Sequence, residues 1–148
     1  MRNEDLPLYF QFFNEIGIIN QLGRAAMEAR FSDGLLMSHF TVLNHLIRVQ
    51  DGQTPLKIAQ AFQMPKTSLT HTLAGLEKRG LIEMRANPDD GRSKRVWLTE
   101  AGSAWRDAAI AGMGTEFAVV AQAFPPERIA DALRLLTELR KFMDAARD

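Results

Sequence analysis

Between Leu76 and Gly102 the chain reads LEKRGLIEMRANPDDGRSKRVWLTEAG, and few local structures satisfy that order of residues. A helix closes at Gly80, the residue type that most easily takes the left-handed conformation past a helix end. Two short runs, Leu81 to Arg85 and Arg95 to Leu98, flank the turn cluster Asn87-Pro88-Asp89-Asp90-Gly91 and predict a β-hairpin. Thr99 is suited to cap a new helix from Glu100, whose acid favours the positive end of the helix dipole. The hairpin tip carries Arg92, Lys94 and Arg95. Cations at an exposed tip can replace the counterions along a phosphate backbone. They also suit an edge hairpin protected against aggregation, so the tip alone leaves both uses open.

The residues before the hairpin predict a pair of short helices. Thr54-Pro55 starts the first, with Thr as N-cap and Pro at the first helical position, and PLKIAQAF stops near Gln63-Met64. Pro65 opens the second, KTSLTHTLAGLEKR. Two short helices across a tight turn form a helix-turn-helix pattern. Upstream, Phe40, Leu43 and Ile47 give Met37 to Val49 a helical period, and Leu8 to about Arg30 carries an apolar stripe wider than one small core would use. Downstream, a long helix starts at Glu100 and is expected to bend at Gly112 and Gly114, each costing roughly 1 kcal/mol relative to alanine. Pro125-Pro126 breaks the chain before a last helix to about Ala146. The expected fold class is mainly α with a small β-hairpin (α+β), as one domain over 1–148. The apolar terminal helices, 6–30 and 103–146, could cover one another within a monomer; the more natural use is a layer shared with a second copy.

Composition narrows the function. A hydrophobic fraction of 46% in 148 residues supports a packed core. The chain has no cysteine, which excludes disulfides, thiolate metal sites and thiol-based sensing. The start MRNEDLPLYF lacks a signal pattern and no apolar run suits a bilayer, so a cytoplasmic protein with no membrane partner is expected. Net charge is +0, but Lys66 to Trp97 holds seven basic and four acidic residues, a local excess of three. A basic face on a neutral body fits a compact DNA reader. The neutrality equally suits a protein-interaction module that does not bind DNA.

On a helical wheel of the second helix, Leu69, Leu73 and Leu76 point inward. Thr67, His71, Ala74 and Lys78 point outward, with Ser68 and Thr70 at the edges. Short hydroxyls, one imidazole and no bulky hydrophobe let such a face enter a major groove. The helix N-terminus, with Thr67 and Ser68, can also present backbone N–H groups to a phosphate. In the hairpin, alternation would put Arg92 and Lys94 on one side, and Asp90 is near enough to orient Arg92 through a bidentate pair for the narrow minor groove. His39, His45 and His71 are scattered without metal-ligand spacing, and no nucleophile–base pair or phosphate loop is present. No metal, cofactor or enzymatic activity is expected.

The order Ile58-Ala59, the polar helix, Leu76-Glu77-Lys78-Arg79-Gly80-Leu81-Ile82, Asp89-Asp90-Gly91-Arg92 and Leu98-Thr99-Glu100-Ala101-Gly102 resembles the MarR family of bacterial transcription regulators. The likeness extends over nearly the whole chain, although Leu36 stands where many relatives carry a capping Thr or Ser. It implies a winged helix-turn-helix lobe over about 35–102 and a homodimer joined through the terminal helices. It implies sequence-specific binding of double-stranded DNA at a pseudo-palindromic operator, usually as a repressor. Many such proteins release DNA when a small, often aromatic, effector binds between the dimer helices and the DNA-binding lobe. Carried over by position, Lys66, Thr67, Ser68, Thr70, His71 and Thr72 would enter the major groove and Arg92 the minor groove, oriented by Asp90. Lys78, Lys94 and Arg95 complete the expected DNA-binding set.

Overall fold

The computed structural model describes residues 2–147, as two compact units: residues up to Gly112 and residues from Met113 onward. The first unit holds a single 3-10 turn, Asn3–Asp5, then α1 (Leu6–Glu28), α2 (Met37–Arg48), α3 (Pro55–Phe62), α4 (Lys66–Lys78), β1 (Ile82–Ala86), β2 (Lys94–Leu98) and α5 (Glu100–Ala111). The second holds α6 (Gly114–Ala123) and α7 (Pro126–Ala145). The mainly helical fold with one hairpin matches the expected class.

The helix-turn-helix forms as its punctuation dictates. Thr54 caps α3 by accepting the Lys57 N–H at 3.3 Å, with Pro55 in the first turn. Gln63 takes a left-handed conformation, φ 51°, and turns the chain toward α4. At the end of α4, Gly80 adopts φ 69°, so its N–H reaches Glu77 O at 2.9 Å and that of Leu81 reaches Leu76 O at 3.0 Å. That pair of bonds is a Schellman closure, and it aims the chain directly into β1.

The hairpin pairs Ile82 with Leu98, Met84 with Val96 and Ala86 with Lys94. Gln53 adds one rung beside Val96, with the Val96 N–H donating to Gln53 O at 2.8 Å. The hairpin is thereby tied to the chain just before α3. The core of this unit gathers Leu43 and Leu46 of α2, Ile58 of α3, Leu69 and Leu76 of α4, and Val96 of β2. Each is nearly free of solvent, which fixes the outward face of α4 by elimination.

Thr99 ties the start of α5 to the end of α4. Its hydroxyl donates to Gly80 O at 2.7 Å and accepts the Gly102 N–H at 3.0 Å. Thr99→Ala should therefore cost about 1–2 kcal/mol, the upper part of the range for a lost cap. Urea unfolding followed by circular dichroism reads the change, and a shift below a few tenths of a kcal/mol would contradict this role.

One expectation is revised. The long C-terminal helix does not bend at its glycines but ends: α5 stops at Ala111, Gly112 and Met113 form a turn, and α6 begins at Gly114. Two glycines in three residues remove enough helix propensity to stop the helix. At α2, Leu36 caps with no side-chain bond, and the helix start is closed by other groups: His39 Nδ1 accepts the Leu36 N–H and the Glu28 carboxylate accepts the Met37 N–H.

Within the first unit α1 buries none of its residues, and Phe10 and Leu22 stay 70% and 66% exposed. In the second unit α7 likewise buries none, leaving Ile129, Leu133 and Leu136 exposed along one stripe.

Candidate nucleic-acid interface

The inward stripe of α4 is Leu69, Thr72, Leu73 and Leu76, all buried. Lys66, Thr67, Ser68, Thr70, His71, Ala74 and Lys78 are exposed. Thr72 is therefore a correction to the expected base-reading set. It is only 6% exposed, and its hydroxyl donates to Ser68 O at 3.2 Å. The cause is helical geometry: position 72 lies three after Leu69 and four before Leu76, on the side both occupy.

Thr70 also spends its hydroxyl proton on the helix, donating to Lys66 O at 2.9 Å, but its side chain stays exposed. It therefore offers acceptor lone pairs and a methyl group outward. Pro65 precedes α4 without a side-chain cap, so no side chain of the N-cap covers the first-turn N–H groups near Thr67 and Ser68. That is the arrangement an anion can use.

The hairpin tip is a braced loop. Asn87 is nearly buried and its side-chain amide donates to Ser93 Oγ at 2.9 Å. Asp90 does not hold the Arg92 guanidinium: its carboxylate accepts the Arg92 backbone N–H at 3.0 Å. Arg92 lies in the turn ahead of β2, where strand alternation does not govern side-chain direction. The guanidinium that is held belongs to Arg95. Its Nε donates to Asn87 Oδ1 at 3.1 Å and its Nη2 to Asp89 Oδ2 at 2.6 Å. Arg95 thus braces the tip from within and is half-buried, while Arg92 and Lys94 stand exposed. Arg85 is also engaged, paired with Glu83 at 2.9 Å and lying over the Trp97 ring at 5.3 Å.

An open cleft of about 530 Å³ runs between the hairpin and the start of α3 and α4. Lys66, Arg92 and Lys94 share its lining with Thr54 and Asn87. Three of the expected DNA-binding cations therefore converge on one concavity beside the polar face of α4. Lys78 sits at the far end of that helix, away from the cleft lining.

A second cavity, about 290 Å³, lies behind α4 in the same unit. Arg24, Ser38, Thr41 and Thr72 supply its polar groups, and Val42, Phe62, Met64 and Leu69 its apolar wall. Sequence spacing could not reveal it, because α1, α2, α3 and α4 each contribute only one to three residues. The one signal was a threonine at an inward position of α4. Among the described residues no group of three His, Cys, Asp or Glu could hold a metal ion.

A helix-turn-helix with a braced, cation-tipped hairpin defines the class: a winged helix-turn-helix of the kind built to bind DNA. Residues 33–93 match the model of the MarR family. Solved structures agree across most of its length. A MarR family transcription regulator shares 27% identity over 99% of each chain, with a TM-score of 0.68. A transcriptional regulator of Pseudomonas aeruginosa PA01 shares 26% over 95% of this chain and 98% of its own, with a TM-score of 0.73. The wild-type MarR of E. coli, at 22% identity, covers 85% of this chain and 93% of its own with a TM-score of 0.72, a likeness of fold.

Proposed function

We propose that the protein is a homodimeric, sequence-specific DNA-binding transcriptional regulator that represses from a pseudo-palindromic operator. The observation that carries this reading is the convergence of Lys66, Arg92 and Lys94 on the cleft beside the exposed polar face of α4. That face enters the major groove with Thr67, Ser68, Thr70 and His71 toward base edges or phosphates. Arg92 and Lys94 then lie along the neighbouring minor groove and backbone.

The homodimer is supported by apolar surface that each unit leaves uncovered. Tyr9, Phe10, Ile19 and Leu22 on α1, and Leu133, Leu135 and Phe142 on α7, are far too exposed for an isolated soluble chain. A two-fold dimer buries such faces and sets two reading helices at a fixed spacing. No helix among the described residues is long and apolar enough to cross a membrane. We place the protein in the cytoplasm, where its DNA would be.

Release by a small effector is the second part of the reading. The cavity behind α4 suits a small aromatic acid, with Arg24 for the carboxylate and Phe62 and Met64 for the ring. Its wall includes Leu69 and Thr72 of the reading helix, so an occupant would bear directly on that helix.

Selection of duplexes from a random pool tests the reading. Wild-type protein should enrich a two-fold related sequence. Thr70→Ala or His71→Ala should change the preferred base at specific positions, by roughly 1–3 kcal/mol for a direct contact. Enrichment of no sequence, or identical preferences in all three proteins, would contradict it.

A further inference from the structure

α2 begins with the N–H groups of Leu36 and Met37 capped by side chains, and one of the caps is an imidazole. His39 Nδ1 accepts the Leu36 N–H at 2.9 Å, so that nitrogen carries no proton and Nε2 does. The ring lies against α4: a Cβ added at Gly75 would stand 2.9 Å from Nε2. The imidazole thus occupies the space that glycine leaves open in the middle of the reading helix. Arg79 closes the same joint. Its guanidinium donates to Gly75 O at 3.1 Å, and to Asp33 O at 3.2 and 2.9 Å in the turn before α2. Glu28 of α1 caps the neighbouring Met37 N–H at 2.7 Å. Three helices and one turn therefore meet around a single imidazole.

We propose that His39 is a positioning residue for the reading helix: the neutral ring, bonded to Leu36 and seated on Gly75, fixes α4 against α2, and protonation of the ring loosens that joint and weakens duplex binding. This rests on the DNA-binding reading above. A protonated ring turns Nδ1 into a donor facing the Leu36 donor, and it adds a positive charge beside Arg79. The groups facing it are Arg79 at the end of α4, His71 on α4 and Glu28 on α1. Burial is the main cause holding the imidazole below its ordinary range, followed by Arg79 and then His71, while the Leu36 backbone and then Glu28 act the other way. As pH falls through the ordinary histidine value of 6.5, the unfolded chain takes up a proton before the folded one does. Stability is therefore lost from that point down to the lowered folded value, and is flat above it.

The test separates His39 from His71, the second imidazole facing this joint, which is replaced so that it contributes nothing to the reading. In a His71→Gln background, binding to a fluorescein-labelled mixed-sequence duplex of about 25 base pairs is measured from about pH 7.5 to about pH 5. Affinity should fall about fivefold, the population cost of one lost cap. Adding His39→Gln should abolish that pH dependence while preserving binding at neutral pH. Glutamine at the third helical position also accepts the N-cap N–H but does not titrate. In the wild-type protein, NMR should show the Leu36 and Gly75 amides titrating together, with a midpoint below the ordinary histidine value. An equal acid loss in the His39→Gln protein, or a Gly75 amide that does not follow Leu36, would overturn the proposal. Failure of every variant to bind duplex at any pH would overturn the DNA-binding reading instead, and the paired amide titration would still decide the joint.

Discussion

Replacing Gly102 with alanine is expected to destabilise the winged-helix unit by about 3 kcal/mol, at the upper end of the cost of forcing extra atoms into a packed site. A Cβ at this position would stand 2.0 Å from Leu81 O and 3.0 Å from the Leu98 side chain. The first obstacle is backbone, and it cannot swing aside. Leu81 O already accepts the Thr99 N–H at 3.2 Å, and Leu81 closes the end of α4 through Leu76 O. To admit a methyl group, α5 would have to back away from the junction of α4 with β1. That movement also strains the Thr99 cap, so the loss reaches the end of α4. Thermal unfolding should drop by about 10 °C for a unit of this size. A melting temperature within a degree or two of wild type would show that the junction has slack that the geometry does not contain.

The second large effect is at the tip of the wing. Arg92→Ala combined with Lys94→Ala should weaken duplex binding by about two orders of magnitude near 0.1 M salt, with little change in fold. The slope of log affinity against log salt should become shallower by about two, one for each phosphate that is no longer neutralised. Both side chains are exposed, and removing them leaves no buried group unpaired. Arg95→Ala should behave differently. It would leave Asp89 without its cation and remove a bond to the nearly buried Asn87, loosening the tip. Its signature is a less stable wing together with weaker binding. Fluorescence anisotropy across a salt series, paired with unfolding curves, separates the two kinds of arginine. An unchanged salt slope in the Arg92/Lys94 double variant would remove the wing from the interface.

The second helix of the helix-turn-helix and the hairpin were legible in the sequence because their signals are local. Thr54-Pro55, Pro65, Gly80 and Thr99 each set a boundary within a turn of themselves, and the observed limits of α3, α4 and β1 lie within a residue or two of those signs. The reversal at Asn87 to Gly91 was equally local. Side-chain assignments within the elements were less legible. Thr72 looked like another polar residue of a polar helix, but its place in the stripe between Leu69 and Leu76 buries it. The wing carries three cations within four residues, and residue type does not tell which of them braces the loop. That depends on Asn87 and Asp89, which reach Arg95 only once the hairpin has folded back. The least legible feature was the joint around His39. It gathers residues from positions 28 to 79, and only the absence of a capping side chain at Leu36 hinted that another group must do that work.

The most direct test of the account is a hydroxyl-radical footprint of the protein on a duplex that it has itself selected from a random pool. The exposed face of α4 and the Arg92-tipped wing, repeated by two-fold symmetry, should protect two segments centred about 10 base pairs apart, each flanked by a protected stretch of minor groove. A uniform footprint, or affinity for the selected duplex no greater than for random DNA at the same salt, would contradict it.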